Sequence, residues 1–376
     1  MEPIVTNLSE ENGRLTFTLS GVNVSIANAL RRIVISEIPC VVFRTTPHSE
    51  SKMDITINTT RLNNELIKQR MSCVPIHISD TAVPIENYEV IIDKKNNGDI
   101  IEYVTTGDII IKDTKTGKML SEASVREIFP PDSITGDFID IARLRPRLSE
   151  DIDGEHLKLS ARLDIGTAKE NGSFNIVSTC SYGNTENPIV IKNILDKMSV
   201  EMKAAGVDAE TIAFKKKDWL LLNSQLNYIP DSFEFAVETI GQFSNMDVVF
   251  RGVNVMLDKI KKFKGDIQTD ADLIVQSDTT LTNGFDIKLI AEDYTLGKAL
   301  EFVLYNNHYD RYSATSDKSL TFCGFRKPHP HIDESIIRLG FVDNVDKPFI
   351  VQVLVNSCKI LETAFLGISE YFKKVE

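Results

Sequence analysis

The chain has 376 residues, 42% of them apolar and 26% charged, with a formal net charge of −12 and five cysteines. That length supports two or three domains and a sizeable core. The acidic balance disfavours dominant nucleic-acid binding, the odd, scattered cysteines disfavour a disulfide framework, and no apolar run reaches the roughly 18 residues of a membrane helix. Met1-Glu2-Pro3-Ile4 lacks the basic and apolar regions of a signal peptide, so an intracellular protein is expected.

Arg14–Ser20 alternates, with Leu15, Phe17 and Leu19 on one face, and predicts a strand. Asn23 or Ser25 then caps a helix whose apolar stripe is Ile26, Ala29, Leu30, Ile33 and Val34, stopped before Pro39. Thr59 or Thr60 opens a short helix with Leu62, Leu66 and Ile67, closed near Pro75. Strands are predicted at Tyr88–Ile92, Glu102–Thr105 and Asp108–Lys112, separated by Asn97-Gly98 and Thr116-Gly117 turns. Strands resume at His156–Leu163 and Phe174–Cys180, and 188–222 is polar-rich and helical in places. Phe233–Ile240 alternates, and a helix follows with Val253, Met256, Leu257, Ile260 and Phe263. Lys264–Asn283 is rich in Asp and Thr and predicts a linker.

The pattern then restarts. A strand with Phe285, Ile287 and Leu289 precedes a helix with Leu296, Ala299, Leu300, Val303 and Leu304. Strands are expected near Thr321–Phe325 and Ser335–Phe341. A long final helix, capped by Asp346 with Pro348 in its first turn, carries Val351, Leu354, Val355, Cys358, Leu361, Phe365, Ile368 and Phe372. Ser25-Ile26-Ala27-Asn28-Ala29-Leu30 and Thr295-Leu296-Gly297-Lys298-Ala299-Leu300 follow their strands in the same way. Two copies suit a pseudo-dimer, in which each half buries the other's helix faces, better than a solenoid; the pattern alone equally allows chance recurrence of a strand–turn–helix unit.

Catalytic constellations are missing. There is no phosphate-binding G-x-x-x-x-G-K-[ST] loop, no G-x-G-x-x-G and no G-x-S-x-G. His329-Pro330-His331 reads as a rigid turn, and Asp151-Ile152-Asp153-Gly154 as a solvated turn, because a twelve-residue calcium loop would end on Arg162. Lys215-Lys216-Lys217 and Lys261-Lys262-Phe263-Lys264 read as solvated surface.

The stretch Ile26-Ala27-Asn28-Ala29-Leu30-Arg31-Arg32-Ile33-Val34-Ile35-Ser36-Glu37-Ile38-Pro39 resembles the signature helix of the RNA polymerase alpha family. That family includes the bacterial alpha subunit and the third-largest subunit of eukaryotic RNA polymerase II. Asn58–Ile76, Gly166-Thr167-Ala168-Lys169-Glu170 and Val248–Val253 continue the resemblance. Glu292-Asp293-Tyr294-Thr295-Leu296-Gly297-Lys298-Ala299-Leu300 and Cys323-Gly324-Phe325-Arg326-Lys327-Pro328-His329-Pro330 are similar to the small alpha-like subunit numbered eleventh in polymerase II. Such a fusion of two alpha-like subunits resembles the arrangement in large DNA viruses of eukaryotes. Residues 80–150 hold no cysteine, so the zinc of the polymerase II relative is not expected, and Asn171-Gly172-Ser173-Phe174 replaces a His- and Trp-containing family loop.

The resemblance implies an α+β chain. A first dimerisation domain (1–45 and 151–263) is split by an inserted β-rich domain (46–150). A linker (264–283) leads to a second, small alpha-like dimerisation domain (284–376). The implied function is a non-catalytic assembly subunit of a DNA-directed RNA polymerase, an intramolecular pseudo-dimer that nucleates binding of the two large subunits. The alternative is a transcription-associated scaffold outside the core polymerase. No cofactor, metal, membrane or sequence-specific DNA contact is expected; the expected partners are the largest, second-largest and small polymerase subunits. Arg31, Arg32, Ile35, Lys169 and Glu170 are implied as large-subunit contacts, Arg32 more than Arg31. Ile26, Leu30, Ile33, Val253, Leu257, Leu296, Leu300, Val351, Leu354, Cys358 and Leu361 are implied at the dimerisation interface. The implied location is host cytoplasm and possibly the virion for a viral protein, the nucleus otherwise.

Overall fold

The computed structural model describes residues 1–80, 82–147, 149, 153–278, 281–309 and 319–373. In chain order come β1 (Ile4–Glu11), β2 (Arg14–Ser20), α1 (Val24–Ser36) and β3 (Cys40–Val42). Then follow β4 (Met53–Asn58), α2 (Asn64–Ser72), β5 (Tyr88–Lys95), β6 (Glu102–Thr105), β7 (Ile110–Asp113), α3 (Glu122–Ile128), β8 (Asp140–Leu144), β9 (His156–Arg162) and β10 (Asp164–Gly166). Next are β11 (Val177–Glu186), α4 (Pro188–Ala204), α5 (Ala209–Asn223), β12 (Tyr228–Thr239) and α6 (Asn245–Thr269). The chain closes with β13 (Ile274–Gln276), β14 (Gly284–Ile290), α7 (Tyr294–His308), β15 (Leu320–Arg326), β16 (Glu334–Phe341) and α8 (Lys347–Ser369). The contacts divide the chain into two units. The first gathers 1–34, 179–238 and 245–376, and the second gathers 35–178 and 239–244.

The first unit holds two antiparallel four-stranded sheets, ordered β1-β2-β12-β11 and β13-β14-β16-β15. Asn12-Gly13 closes the β1–β2 hairpin, both residues at positive φ (52° and 76°), as a tight hairpin turn requires. Leu15, Phe17 and Leu19 of β2 and Phe233, Phe235 and Val237 of β12 are buried, so the alternation puts one apolar face of the sheet inward. Phe17 stacks on Phe235 with centroids 4.9 Å apart and meets Phe372, beyond α8, edge-on at 5.0 Å. Phe372 thus completes the core of the first sheet. α8 is the one described helix long and apolar enough to cross a membrane by length and composition. Its apolar face is spent on packing against α6 and α7.

The second unit holds a four-stranded sheet, β4-β9-β5-β7, and two ribbons, β6-β8 and β10-β3, all antiparallel. Val90, Ile92, Leu157, Leu159 and Ala161 line its core with Ile67 and Met71 of α2 and Phe129 beyond α3. This unit reaches beyond the expected 46–150 at both ends, because β3 pairs with β10 and the Ser36 carbonyl accepts from the Lys169 N–H at 2.7 Å.

Several elements differ from the sequence reading. Residues 264–283 are not a plain linker: α6 continues to Thr269, since Ile260, Phe263 and Ile267 keep the stripe buried, and β13 then pairs with β14. The neighbouring Asp and Thr residues lie on the outer face or in turns. α2 is capped by Asn63, whose side chain accepts from the Leu66 N–H at 2.9 Å, and not by Thr59 or Thr60. Phe174 sits in a 3₁₀ turn, and its strand starts at Val177. Asp151 lies outside the described residues, whereas Asp153 pairs with Lys95 at 2.6 Å.

Candidate assembly interface

In the first unit, four helices bury their apolar faces. α6 packs against α8, and α7 packs against both. Ile26, Leu30 and Ile33 of α1, Val253 of α6, Leu296 and Leu300 of α7, and Leu354, Cys358 and Leu361 of α8 are all buried. Leu257 and Val351, at the rim, are half-buried. Burying one such side chain contributes about 1.5–3 kcal/mol, so this face weighs heavily in the unit's stability. Burial pushes the Cys358 thiol up to about 12, and the nearby Glu362 carboxylate adds to it. The thiol therefore packs as a small apolar group.

Polar clamps rim this face. The α7 N-cap is Asp293, whose Oδ1 accepts from the Thr295 N–H at 2.8 Å. Arg32 of α1 reaches the same turn: Nε donates to Thr295 Oγ1 and Nη2 to Asp293 Oδ2, each at 2.9 Å. Lys259 of α6 donates to Glu292 at 2.9 Å, and Lys264 of α6 to Glu362 of α8 at 2.5 Å. Gly297 is fixed by packing, since a Cβ there would sit 2.0 Å from the Phe325 ring. The Thr-Leu-Gly of the motif thus supplies, in order, a hydroxyl for Arg32, a core side chain and a gap for an aromatic ring.

In the second unit, the 166–170 loop is anchored by Arg44. Its Nε donates to Asp164 Oδ2 at 2.6 Å, and its Nη2 to the Ile165 carbonyl at 2.9 Å and Glu170 Oε2 at 3.0 Å. Lys52 adds a second cation on Asp164 at 2.9 Å. Burial alone would raise the Asp164 carboxyl, but hydrogen bonds from Lys52 and Arg44 outweigh it and hold the group below the usual carboxylate range. The hydrogen bond to Asp164 in turn raises the Arg44 guanidinium. Lys169 is exposed and lies 4.0 Å from Glu37.

The implied large-subunit contacts are therefore not one free patch. Arg32, expected to be available to a partner, is engaged inside the chain at the α7 cap, because Asp293 and Thr295 offer it a carboxylate and a hydroxyl together. Arg31 bonds Asn28 Oδ1 through Nε and Nη2 at 3.0 Å, one helical turn back. Ile35 is half-buried, Lys169 and Glu170 are exposed, and these three belong to the second unit. Sequence reasoning missed Asp293, Glu292, Lys259 and Arg44. Asp293 carried a usable signal, as an Asp two residues ahead of a Thr at a helix start. The other three pair across 33 to 126 residues, which local patterns do not reach.

Among the described residues no three His, Cys, Asp or Glu side chains gather as a metal-holding group. What the geometry offers is apolar helix faces of one chain tied together by charge-assisted contacts. Comparison with known proteins adds the family. The chain is 23% identical over 294 residues to DNA-directed RNA polymerases I and III subunit rpac1 of Dictyostelium discoideum, covering 67% of this chain and 78% of the relative. It is 25% identical over 287 residues to DNA-directed RNA polymerases IV and V subunit 3B of Arabidopsis thaliana, covering 65% and 85%. It is 22% identical over 281 residues to DNA-directed RNA polymerase subunit Rpo3 of Pyrococcus horikoshii, covering 69% and 96%. Residues 16–260, from β2 through most of α6, match the model of one domain family. With that match spanning well over half of the sequence, the chain belongs to the RNA polymerase Rpb3/Rpb11 dimerisation domain family.

Proposed function

We propose that this chain is a non-catalytic assembly subunit of a multisubunit DNA-directed RNA polymerase, with two alpha-like halves joined in one polypeptide. The observation that carries the reading is the family match over 16–260 together with the second strand–turn–helix unit, β14 to α7, whose cap receives Arg32 from the first. In this reading α6 and α8 are the dimerisation helices of the two halves. The second half is of the small alpha-like kind, and the inserted β-rich part lies between the pieces of the first. The two large catalytic subunits then dock on the paired halves, with Lys169, Glu170, Ile35 and Arg31 among the contacts. The reading is of an intracellular protein; a viral or nuclear setting is decided by its source.

Affinity purification of the full chain from its source, followed by mass spectrometry, tests the role. The largest and second-largest polymerase subunits are expected in stoichiometric amounts, and their absence overturns it. Light scattering after size exclusion tests the pairing, before and after cleavage at a protease site engineered between Asp278 and Thr282. A monomer whose halves stay together is expected. Halves that separate at micromolar concentration, or an obligate homodimer, defeat the intramolecular arrangement.

A further inference from the structure

In the second unit, α2 with the turn before it and the β6–β8 ribbon enclose a groove of about 300 Å³. Four arginines line it, Arg61, Arg70, Arg143 and Arg145, against one acidic side chain, Asp140. Two of them are held in place: Arg70 Nη2 donates to the Asp140 carbonyl at 2.7 Å, and Arg145 Nε to Glu155 Oε1 at 2.6 Å. Arg61 and Arg143 are exposed and have no ion-pair partner among the described residues. Tyr103 stands opposite Arg143 in the ribbon register and is 48% exposed. With Leu62 it gives the groove an apolar wall beside its cations. Like charges gathered in one concavity repel one another, and a bound counter-charge relieves that repulsion.

We propose that this groove docks an acidic peptide segment of another polymerase subunit. Asp or Glu carboxylates sit on the guanidinium forks of Arg61 and Arg143, and a neighbouring apolar side chain lies against Tyr103 and Leu62. The planar fork of arginine matches a carboxylate through two parallel hydrogen bonds. The proposal rests on the assembly reading for the owner of the segment. A nucleic-acid strand fits less well, since its affinity grows with the number of phosphates neutralised along a track. Here Asp140 interrupts the basic surface, the buried Glu155 pairs with Arg145, and the chain as a whole carries −12. A groove of this size, at the small end of the ~300–1,000 Å³ range of ligand pockets, takes two or three side chains of a short segment and not a folded element.

The test uses the full chain in its native complex, with photoreactive benzoylphenylalanine in place of Tyr103 and the cross-linked partner sequenced by mass spectrometry. The expected product is a segment of another polymerase subunit with Asp or Glu residues next to the cross-link. Its yield should fall about tenfold in the R61E/R143E variant and clearly in the milder R61Q/R143Q variant. Both arginines are exposed, so the milder pair leaves folding intact, which circular dichroism checks. A cross-link to RNA or DNA, one to a segment without carboxylates, or none while the large subunits co-purify overturns the role of the groove and leaves the assembly reading standing. Absence of the large subunits from the wild-type preparation overturns the assembly reading itself, and the docking proposal with it.

Discussion

The starts of α1 and α7 are built on one plan and finished differently. In each, the side chain two residues ahead of a hydroxyl residue caps the turn: Asn23 Oδ1 accepts from the Ser25 N–H at 2.9 Å, and Asp293 Oδ1 from the Thr295 N–H at 2.8 Å. The first cap is neutral and the second charged. Thr295 Oγ1 receives Arg32, whereas the buried Ser25 Oγ has no hydrogen-bond partner. The reason lies seven residues on, where α1 carries Arg32 and α7 carries Phe302. Ala27 stands where α7 has Gly297, whose missing Cβ leaves room for the Phe325 ring. One plan with a single polar clamp makes the two starts unequal. The clamp needs an arginine on one helix and an acidic cap on the other, so it ties α1 to α7.

The comparison is most severely tested where the two starts are alike. Leu30 and Leu300 are both buried, and truncating either to alanine should cost about 2–5 kcal/mol. Urea unfolding measures it; a loss under about 1 kcal/mol at one site would show that this helix is not held as its counterpart is. The next test exploits their difference. G297A drives a methyl into the Phe325 ring and should cost about 1–3 kcal/mol as overpacking. A27G should cost about 1 kcal/mol through backbone entropy. Relief of the G297A penalty by F325A in a double-mutant cycle would confirm the contact, and simple additivity would refute it.

A smaller effect is expected at the caps. D293A should cost about 1 kcal/mol as a lost N-cap and release Arg32 as well, so its effect should exceed that of N23A. The Arg32 contribution should shrink in 1 M NaCl, because the pair is partly exposed. An equal loss for both caps, or one indifferent to salt, would mean that the clamp adds nothing. The smallest effect belongs to the hydroxyls. S25A removes an unpartnered group and should fall within about 0.5 kcal/mol of wild type. T295V strands an Arg32 donor and should cost about 1 kcal/mol. Thermal melting of the two variants side by side ranks them; a costlier S25A would reverse the assignment.

Much of this region is legible in the sequence, because helices advertise themselves locally. The stripes of α1, α7 and α8 and the Asp346 cap come directly from spacing and residue type. β1 was missed although Asn12-Gly13 is a strong hairpin signal. Its seven exposed positions out of eight give it no apolar alternation to read. The end of α6 was misread because one buried side chain, Ile267, sits among polar neighbours. The polar pairs were not legible at all. Arg32 looks like a surface cation until Asp293 is brought beside it, and the four arginines of the groove come from α2, the turn before it and the β8 region, up to 84 positions apart in the numbering.

Arg32 and Asp293 are separated by 261 residues. At the ~5–20 residues per second of protein synthesis, the cap that Arg32 clamps emerges about 13–50 s after Arg32 itself. During that wait the apolar stripe of α1 has left the ribosome before β14, α7 and α8 exist to pack with the rest of the unit. Contacts of such long sequence separation form late and slow the folding of the units that depend on them. A cell making this chain therefore holds, for tens of seconds per molecule, a nascent part whose Arg32 has no cap to clamp. That interval is when a chaperone, or a wrong partner, has its opportunity.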